Sequence, residues 1–135
     1  MLYEVSRKRT VIDAKGRDKV LTEHFVVSNC MLFAEAETAV LADFPNCDVV
    51  AISRSAISEF INKRTDDDQK IFLSVIEVTD GLDETKTTKK VVALFANDVA
   101  DATKQSLAYV SKSISNETLV GVKKSKFIDI IKYMA

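Results

Sequence analysis

The 135-residue chain contains no tryptophan, one histidine, one proline, two cysteines and three glycines. Three glycines that lie far apart do not form the glycine-rich loop that binds phosphates in many nucleotide enzymes. With a single histidine and no CxxC motif, a tetrahedral zinc site would have to be completed by carboxylates. The sequence therefore predicts no metal site and no cofactor, and it favours structural roles for His24, Cys30 and Cys47.

Long apolar segments are missing as well. No stretch approaches the roughly 20 residues that a membrane-spanning helix needs, and the N-terminal MLYEVSRKRT has no apolar core of signal-peptide length. A hydrophobic fraction of 47% with 29% charged residues is typical of a soluble globular protein. We therefore expect a cytoplasmic protein without a membrane location. A formal net charge of −1 also argues against the broadly basic surface of a duplex DNA binder.

What the chain does contain is a repeat. The stretch DVVAISRSAISEFI at 48–61 corresponds to TLVGVKKSKFIDII at 118–131, with an offset of 70. Upstream, FVVSN at 25–29 corresponds to LFAND at 94–98, with an offset of 69. An offset that is nearly constant over most of the chain indicates a tandem duplication.

Both halves predict the same order of elements. A strand rich in β-branched and aromatic residues is followed by a glycine-containing turn, DAKGRD or DGLDETK, and by a second strand that should pair antiparallel with the first. A helix comes next. A third strand closes each half, and one short helical turn there is suggested by the spacing of Ile57, Phe60 and Ile61 and by that of Phe127, Ile130 and Ile131.

The predicted fold class is therefore α+β. It consists of a duplicated strand-strand-helix-strand unit that forms two mainly antiparallel sheets with pseudo-twofold symmetry. The expected domain organisation is a first repeat at 1–62, a polar linker at 63–70 and a second repeat at 71–135, which together make one compact unit.

The run VVALFA at 91–96 is apolar without alternation, as in a strand that is buried on both faces. One helix per half covers one face of a sheet. The other face then requires the sister repeat or a second chain. We expect a homo-oligomer, while the alternative is that the two repeats cover each other completely.

No catalytic arrangement stands out. Acid and base catalysis needs two positioned titratable groups, but the carboxylates lie mostly in predicted turns and in the linker, and His24 lies on a predicted strand. We therefore expect the protein not to be an enzyme. Binding is the better class of function.

Basic residues form three clusters, SRKR at 6–9, SRS at 53–55 and VKKSK at 122–126. The last two occupy equivalent positions of the repeat, so Arg54 and Lys124 would be symmetry-matched and able to hold the phosphates of a nucleotide or of single-stranded nucleic acid. Basic clusters also occur as ordinary solvated faces. The candidate ligand-binding residues are Arg7, Lys8, Arg9, Arg54, Lys123, Lys124 and Lys126. The alternative function is a protein-interaction or assembly module without a small ligand.

The stretches MLYEVSRKRTVIDAKGRDKVLTEHFVV, FAEAETAV and VVAISRSAISEFI resemble an uncharacterised family of short proteins from Bacteroidetes and their phages. Members typically open with an aromatic pair, then carry an acidic, glycine-containing hairpin and a helix of the EAE type. The resemblance covers most of the chain and implies a bacterial cell or a phage-infected one. It supplies no activity. Sequestration of a host signal is one function that a phage member could have.

Overall fold

The computed structural model describes residues 1–79, 82, 86–114 and 116–134. The described chain divides into two compact units, one formed by residues 1–55 with 126–135 and the other by residues 56–125. Its elements are β1 (Tyr3–Ile12), β2 (Asp18–Ser28), α1 (Phe33–Asp43), β3 (Asp48–Arg54), β4 (Ile57–Phe60), β5 (Lys70–Thr79), β6 (Thr87–Ala96), α2 (Val99–Ser111), β7 (Asn116–Lys124) and β8 (Phe127–Lys132).

The first unit contains a four-stranded sheet in the order β3-β1-β2-β8. β1 and β2 form an antiparallel hairpin, β3 pairs antiparallel with β1, and β8 pairs parallel with β2. The predicted glycine turn is confirmed, since Gly16 has φ 76°. The Asp13 carboxylate accepts hydrogen bonds from the backbone N–H groups of Lys15 and Arg17, and this holds the turn together.

The second unit contains a sheet in the order β4-β6-β5-β7. β5 and β6 form an antiparallel hairpin, β7 pairs antiparallel with β5, and β4 pairs parallel with β6. The turn predicted at Gly81 lies outside the described residues. The fold class is thus confirmed as α+β with two helices and two mainly antiparallel four-stranded sheets.

The predicted helical turn at the end of each half is wrong. Ile57–Phe60 forms a strand, β4, that pairs parallel with β6. Its register shifts between Ile57 and Glu59, because a β-bulge inserts one extra residue into the strand. The bulge changes the period at which side chains return to one face. Apolar residues three apart therefore lie in a strand here and not in a helix.

Equivalent irregularities occur in both sheets. The pairing of β1 with β3 shifts between Ser6 and Arg7, and the pairing of β5 with β7 shifts between Val75 and Ile76. Each parallel pair, β2 with β8 and β4 with β6, also carries one shift. Since bulges are specific local features and not random defects, their matching positions support the duplication that the sequence suggests.

The compact units do not follow the order of the repeats along the chain. β4 follows β3 in sequence but pairs with β6 of the second unit, while β8 follows β7 but pairs with β2 of the first unit. The segment predicted as a linker lies within the second unit, where the Arg64 guanidinium donates to the carbonyl of Gln69 at 2.6 Å. Each sheet thus contains three strands from one half and one from the other.

Each helix packs against its own sheet through only part of its predicted apolar face. In α1, Ala36, Ala39 and Val40 are buried, as predicted, but Leu32 and Phe33 are exposed. Leu32 is the residue that precedes the first turn, so its side chain is not on the face that the helix presents to the sheet. In α2, Ala102 is buried whereas Val99 and Leu107 are about half exposed. Sequence spacing therefore overestimated the width of both buried helix faces.

The apolar run at 91–96 is buried from Val92 onward, and Val91 is partly buried. Val92–Ala96 are each no more than 2% exposed in the single chain. A second chain is therefore not needed to cover this strand, which removes the reason that the run gave for expecting an oligomer.

Candidate functional site

The first basic cluster is divided between the two faces of β1, because successive side chains of a strand point to opposite faces. Arg7 is 7% exposed and lies 2.7 Å from the carboxylate of Glu23, the residue directly opposite on β2. Arg9 binds the same carboxylate through two nitrogens, at 2.7 and 3.3 Å. The Arg7 guanidinium also stacks 3.6 Å from the centroid of the Phe44 ring. Two of the seven candidate phosphate ligands are thus already engaged inside the first unit.

The other five candidates, Lys8, Arg54, Lys123, Lys124 and Lys126, are exposed. Arg54 ends β3 opposite Tyr3, and Lys124 ends β7 opposite Phe72, so these two cations occupy equivalent places in the two sheets. Arg54 and Lys126 belong to the first unit, whereas Lys124 belongs to the second.

Four aromatic rings that could otherwise stack with the bases of such a ligand are buried. Tyr3, Phe25, Phe72 and Phe95 are each at most 3% exposed. A base can stack only on a ring whose face is accessible. These four rings are therefore part of the two cores and offer no stacking surface.

His24 lies on β2, as predicted, and its Nδ1 is 2.9 Å from the Ser6 hydroxyl. Burial, together with the positive charge of Lys126, lowers the pKa of His24 below its ordinary value. Burial and the nearby Glu35 raise the pKa of the Cys30 thiol, so this cysteine is a poor nucleophile. Among the described residues, no group of three or more His, Cys, Asp or Glu side chains is placed to hold a metal ion.

A different feature of the first unit is an exposed apolar surface where β2 leads into α1. Met31, Leu32 and Phe33 are consecutive and are 77%, 62% and 49% exposed. Asn29, just before them, has φ 65° and turns the chain in a conformation that asparagine tolerates better than most residues. Three large apolar side chains in a row facing solvent are unusual in a soluble protein unless they bind something.

The backbone of this segment is held firmly. The Glu35 carboxylate accepts hydrogen bonds from the N–H groups of Met31 (2.8 Å) and Leu32 (3.1 Å). The Tyr3 hydroxyl donates to the Met31 carbonyl at 3.1 Å, and the Tyr3 ring meets the Phe33 ring edge-on at 5.2 Å. The exposure of these side chains is therefore fixed by four contacts and is not a loose loop conformation.

The other two methionines lie at the same end of the sheet. Tyr133 donates its backbone N–H to the Ser28 carbonyl, and the Asn29 side chain donates to the Tyr133 carbonyl at 3.0 Å, which places Met134 beside this loop. Met1 precedes Tyr3, which pairs with Val27 at the same end. Met1 and Met134 are 63% and 77% exposed. We call Met1, Met31, Leu32, Phe33 and Met134 the methionine surface.

Cations flank the methionine surface on the side of the sheet. Arg54 lies directly opposite Tyr3 and so shares its face of the sheet, and Tyr3 in turn contacts Phe33. Lys132 is exposed and pairs with Ser28 beside the same loop. On the helix side, Glu37 lies one turn after Phe33. The sequence points to Arg54 but not to the methionine surface, because the apolar spacing predicts that Leu32 and Phe33 lie on the buried face of α1.

The chain matches a known protein family over nearly its whole length. The family model DUF4494, described as a domain of unknown function, matches residues 1–133. No curated protein matches the sequence. Within the part of the chain that the structure describes, neither helix has the length and apolar character needed to cross a bilayer.

Proposed function

The chain belongs to the DUF4494 family, a domain of unknown function, and we propose that it is a non-enzymatic protein-interaction module that binds an apolar, acid-flanked segment of another protein through the methionine surface. The observation that carries this proposal is the sequence of three rigidly held, exposed apolar residues, Met31, Leu32 and Phe33.

Methionine suits this role. Its unbranched side chain is flexible and polarizable, so it adapts to partners of different shape, and methionine-rich surfaces recur in proteins that bind amphipathic segments. All three methionines of the chain are exposed at one end of the first unit. A rigid backbone beneath adaptable side chains reduces the entropy that is lost on binding.

The charges that flank the methionine surface indicate the charge pattern of the partner. Arg54 and Lys132 lie on the sheet side of the methionine surface, and Glu37 lies on the helix side. Complementary charges at the rim of an interface accelerate association and fix orientation more than they add affinity. The partner segment should therefore present apolar side chains with carboxylates along one edge. A second copy is a weaker candidate, because the chain buries its own apolar strand without one.

A synthetic amphipathic helical peptide tests the proposal. It carries leucine on one face and glutamate along one edge, with a fluorescent label for anisotropy measurements. We expect saturable binding in the micromolar range, and we expect Leu32→Glu to weaken it about tenfold or more, because the change buries an unpaired charge at the contact. Val20→Glu is the matched control, since Val20 is also 62% exposed but lies on β2 away from the surface. The Val20→Glu variant should bind the peptide with unchanged affinity.

Two outcomes would overturn the proposal. Equal loss of affinity in Leu32→Glu and Val20→Glu would show that binding does not use the methionine surface. Self-association in light scattering that Leu32→Glu abolishes would make a second copy the occupant. A version of the peptide with lysine in place of glutamate should bind more weakly, and tighter binding would contradict the role of Arg54 and Lys132.

A phosphate-bearing ligand is the second candidate, and the equivalent places of Arg54 and Lys124 at the ends of β3 and β7 favour it. The ligand would be single-stranded nucleic acid or a small nucleotide, and sequestration of a host signal would be one use of such binding. Lys8, Lys123 and Lys126 are the other exposed cations that this function would use.

Charge reversal tests the second candidate. Binding of a fluorescent oligothymidylate or of a labelled nucleotide should weaken in Arg54→Glu and in Lys124→Glu, and its dependence on salt should fall because fewer counterions are released. Lys19→Glu, an exposed change on β2, is the control. Absence of binding by the wild-type chain, or equal effects of all three changes, would eliminate a phosphate-bearing ligand as a candidate.

A further inference from the structure

A second region, separate from the methionine surface, lies in the second unit where α2 passes over the sheet. The Tyr109 hydroxyl donates to the Glu59 carboxylate at 2.6 Å and lies 3.2 Å from the Lys90 ammonium group, which donates to it. Lys90 in turn pairs with Glu117 at 2.5 Å. Four side chains from β4, α2, β6 and β7 thus form one chain of polar contacts that fixes the position of the Tyr109 ring.

A second network holds the neighbouring turn of α2. The Asn62 amide accepts from the Phe95 N–H at 2.7 Å and donates to both the Phe95 carbonyl and the Gln105 side chain. Gln105 also donates to the Phe95 carbonyl. Gln105, which faces the same side of α2 as Tyr109, is therefore fixed as firmly as the tyrosine.

Between these two networks lies an open groove of about 380 Å³, lined by Ile61, Gln105, Ala108, Tyr109 and Lys112. This volume lies within the usual range of small-molecule sites. Ile61 and Ala108 supply apolar contact. The side chains of Gln105 and Tyr109 are preorganised by the hydrogen bonds described above, as ligand sites require.

Two opposite charges flank Tyr109. Glu59 accepts the tyrosine's hydrogen bond, and Lys112 lies one helical turn after Tyr109 on the same face of α2. Among the described residues, neither Glu59 nor Lys112 takes part in an ion pair, whereas Lys90 and Glu117 neutralise each other. The hydrogen bond to Glu59 raises the pKa of Tyr109, so the phenol stays protonated and leaves the Glu59 charge in place.

We propose that this groove binds a small zwitterion with a short apolar body, whose amine meets Glu59 and whose acid group meets Lys112. The apolar body would lie over Ile61 and Ala108. Glu59 is held beside the groove by its bond to Tyr109. A molecule with a single charge would pair with only one of the two side chains and leave the other solvated. The site is independent of the interaction proposed for the first unit.

Three probes of equal length test the proposal by NMR titration of the whole labelled chain, namely 6-aminohexanoate, hexanoate and hexylamine. We expect 6-aminohexanoate to shift the amide signals of β4 and of the last two turns of α2. Each singly charged probe should bind about two- to fivefold more weakly, the effect of one exposed ion pair. Glu59→Gln should weaken the binding of 6-aminohexanoate but leave that of hexanoate unaffected. Lys112→Gln should weaken the binding of 6-aminohexanoate but leave that of hexylamine unaffected.

A matched pair of variants locates the site. Ala108→Trp fills the groove and should abolish the shifts, whereas Leu107→Trp, at an exposed neighbouring position, should preserve them. Equal affinity for the three probes, no shift at the lining residues, or equal effects of the two tryptophan variants would each overturn the proposal.

Discussion

At the scale of single residues, Arg7 shows that strand geometry can separate basic residues that are adjacent in the sequence. SRKR reads as one basic cluster, but alternation along β1 places Arg7 and Arg9 on one face and Lys8 on the other. Glu23 could not be identified as their partner from the sequence, because its position opposite Arg7 depends on the exact register of the hairpin. Within this cluster, Lys8 is the only cation that has no carboxylate partner among the described residues.

Glu23 is predicted to be important for stability. Glu23→Gln should lower the free energy of unfolding by about 2 kcal/mol, because it leaves the buried Arg7 charge without a counterion. Chemical denaturation monitored by circular dichroism measures the change. Glu37→Gln, an exposed change on α1, should have an effect within about 0.5 kcal/mol. Equal effects of the two changes would mean that the pairing with Arg7 and Arg9 contributes nothing.

The Lys90–Glu117 pair predicts how stability depends on pH. The hydrogen bond from Lys90 lowers the pKa of Glu117. The stabilisation of the folded chain by this pair is therefore complete above the ordinary carboxyl pKa of about 4.3 and is lost as the pH falls below it. The bond to Glu117 raises the pKa of Lys90, so that stabilisation is lost only at strongly alkaline pH.

Glu117→Gln should therefore be less stable than the wild-type chain at pH 7, and the difference should shrink as the pH is lowered through the carboxyl range. Thermal unfolding at a series of pH values measures both curves. A difference that stays constant from neutral to acidic pH would contradict this account of the pair.

At the scale of elements, the hairpins and helices were predictable because each depends on local signals. Alternating β-branched residues, glycine turns and the Asp98 cap of α2 are all visible in the sequence, and the cap is confirmed by a 2.8 Å bond from the Asp101 N–H. β4 and β8 were missed. Each is short, carries a bulge and pairs with a strand of the other half, so nothing in the neighbouring residues specifies its partner.

The pairing of β8 with β2 can be tested by one substitution. Ile131 is 8% exposed and packs in the core of the first unit, although it lies near the end of the second repeat. Ile131→Ala should cost about 2–4 kcal/mol of unfolding free energy. Ile128→Ala on the same strand is the matched control, since Ile128 is 46% exposed, and should cost less than half as much. Similar costs would indicate that β8 does not contribute to this core.

At the scale of the whole molecule, the structure makes each half depend on the other. The fragment 1–62 keeps β1, β2, α1 and β3 but lacks β8, which covers the edge of β2 where Val26 and Val27 are fully buried. We predict that this fragment shows no cooperative thermal transition by circular dichroism, whereas the full chain does. A cooperative transition in the fragment would instead support the domain boundaries expected from the repeat.

NMR mapping of the glutamate-edged peptide on the labelled full chain shows whether the peptide binds at the methionine surface. We predict that the largest changes in amide signals occur at residues 29–35 and 132–134, with smaller changes near Arg54. Changes confined to the second unit, or an absence of changes at saturating peptide, would contradict it.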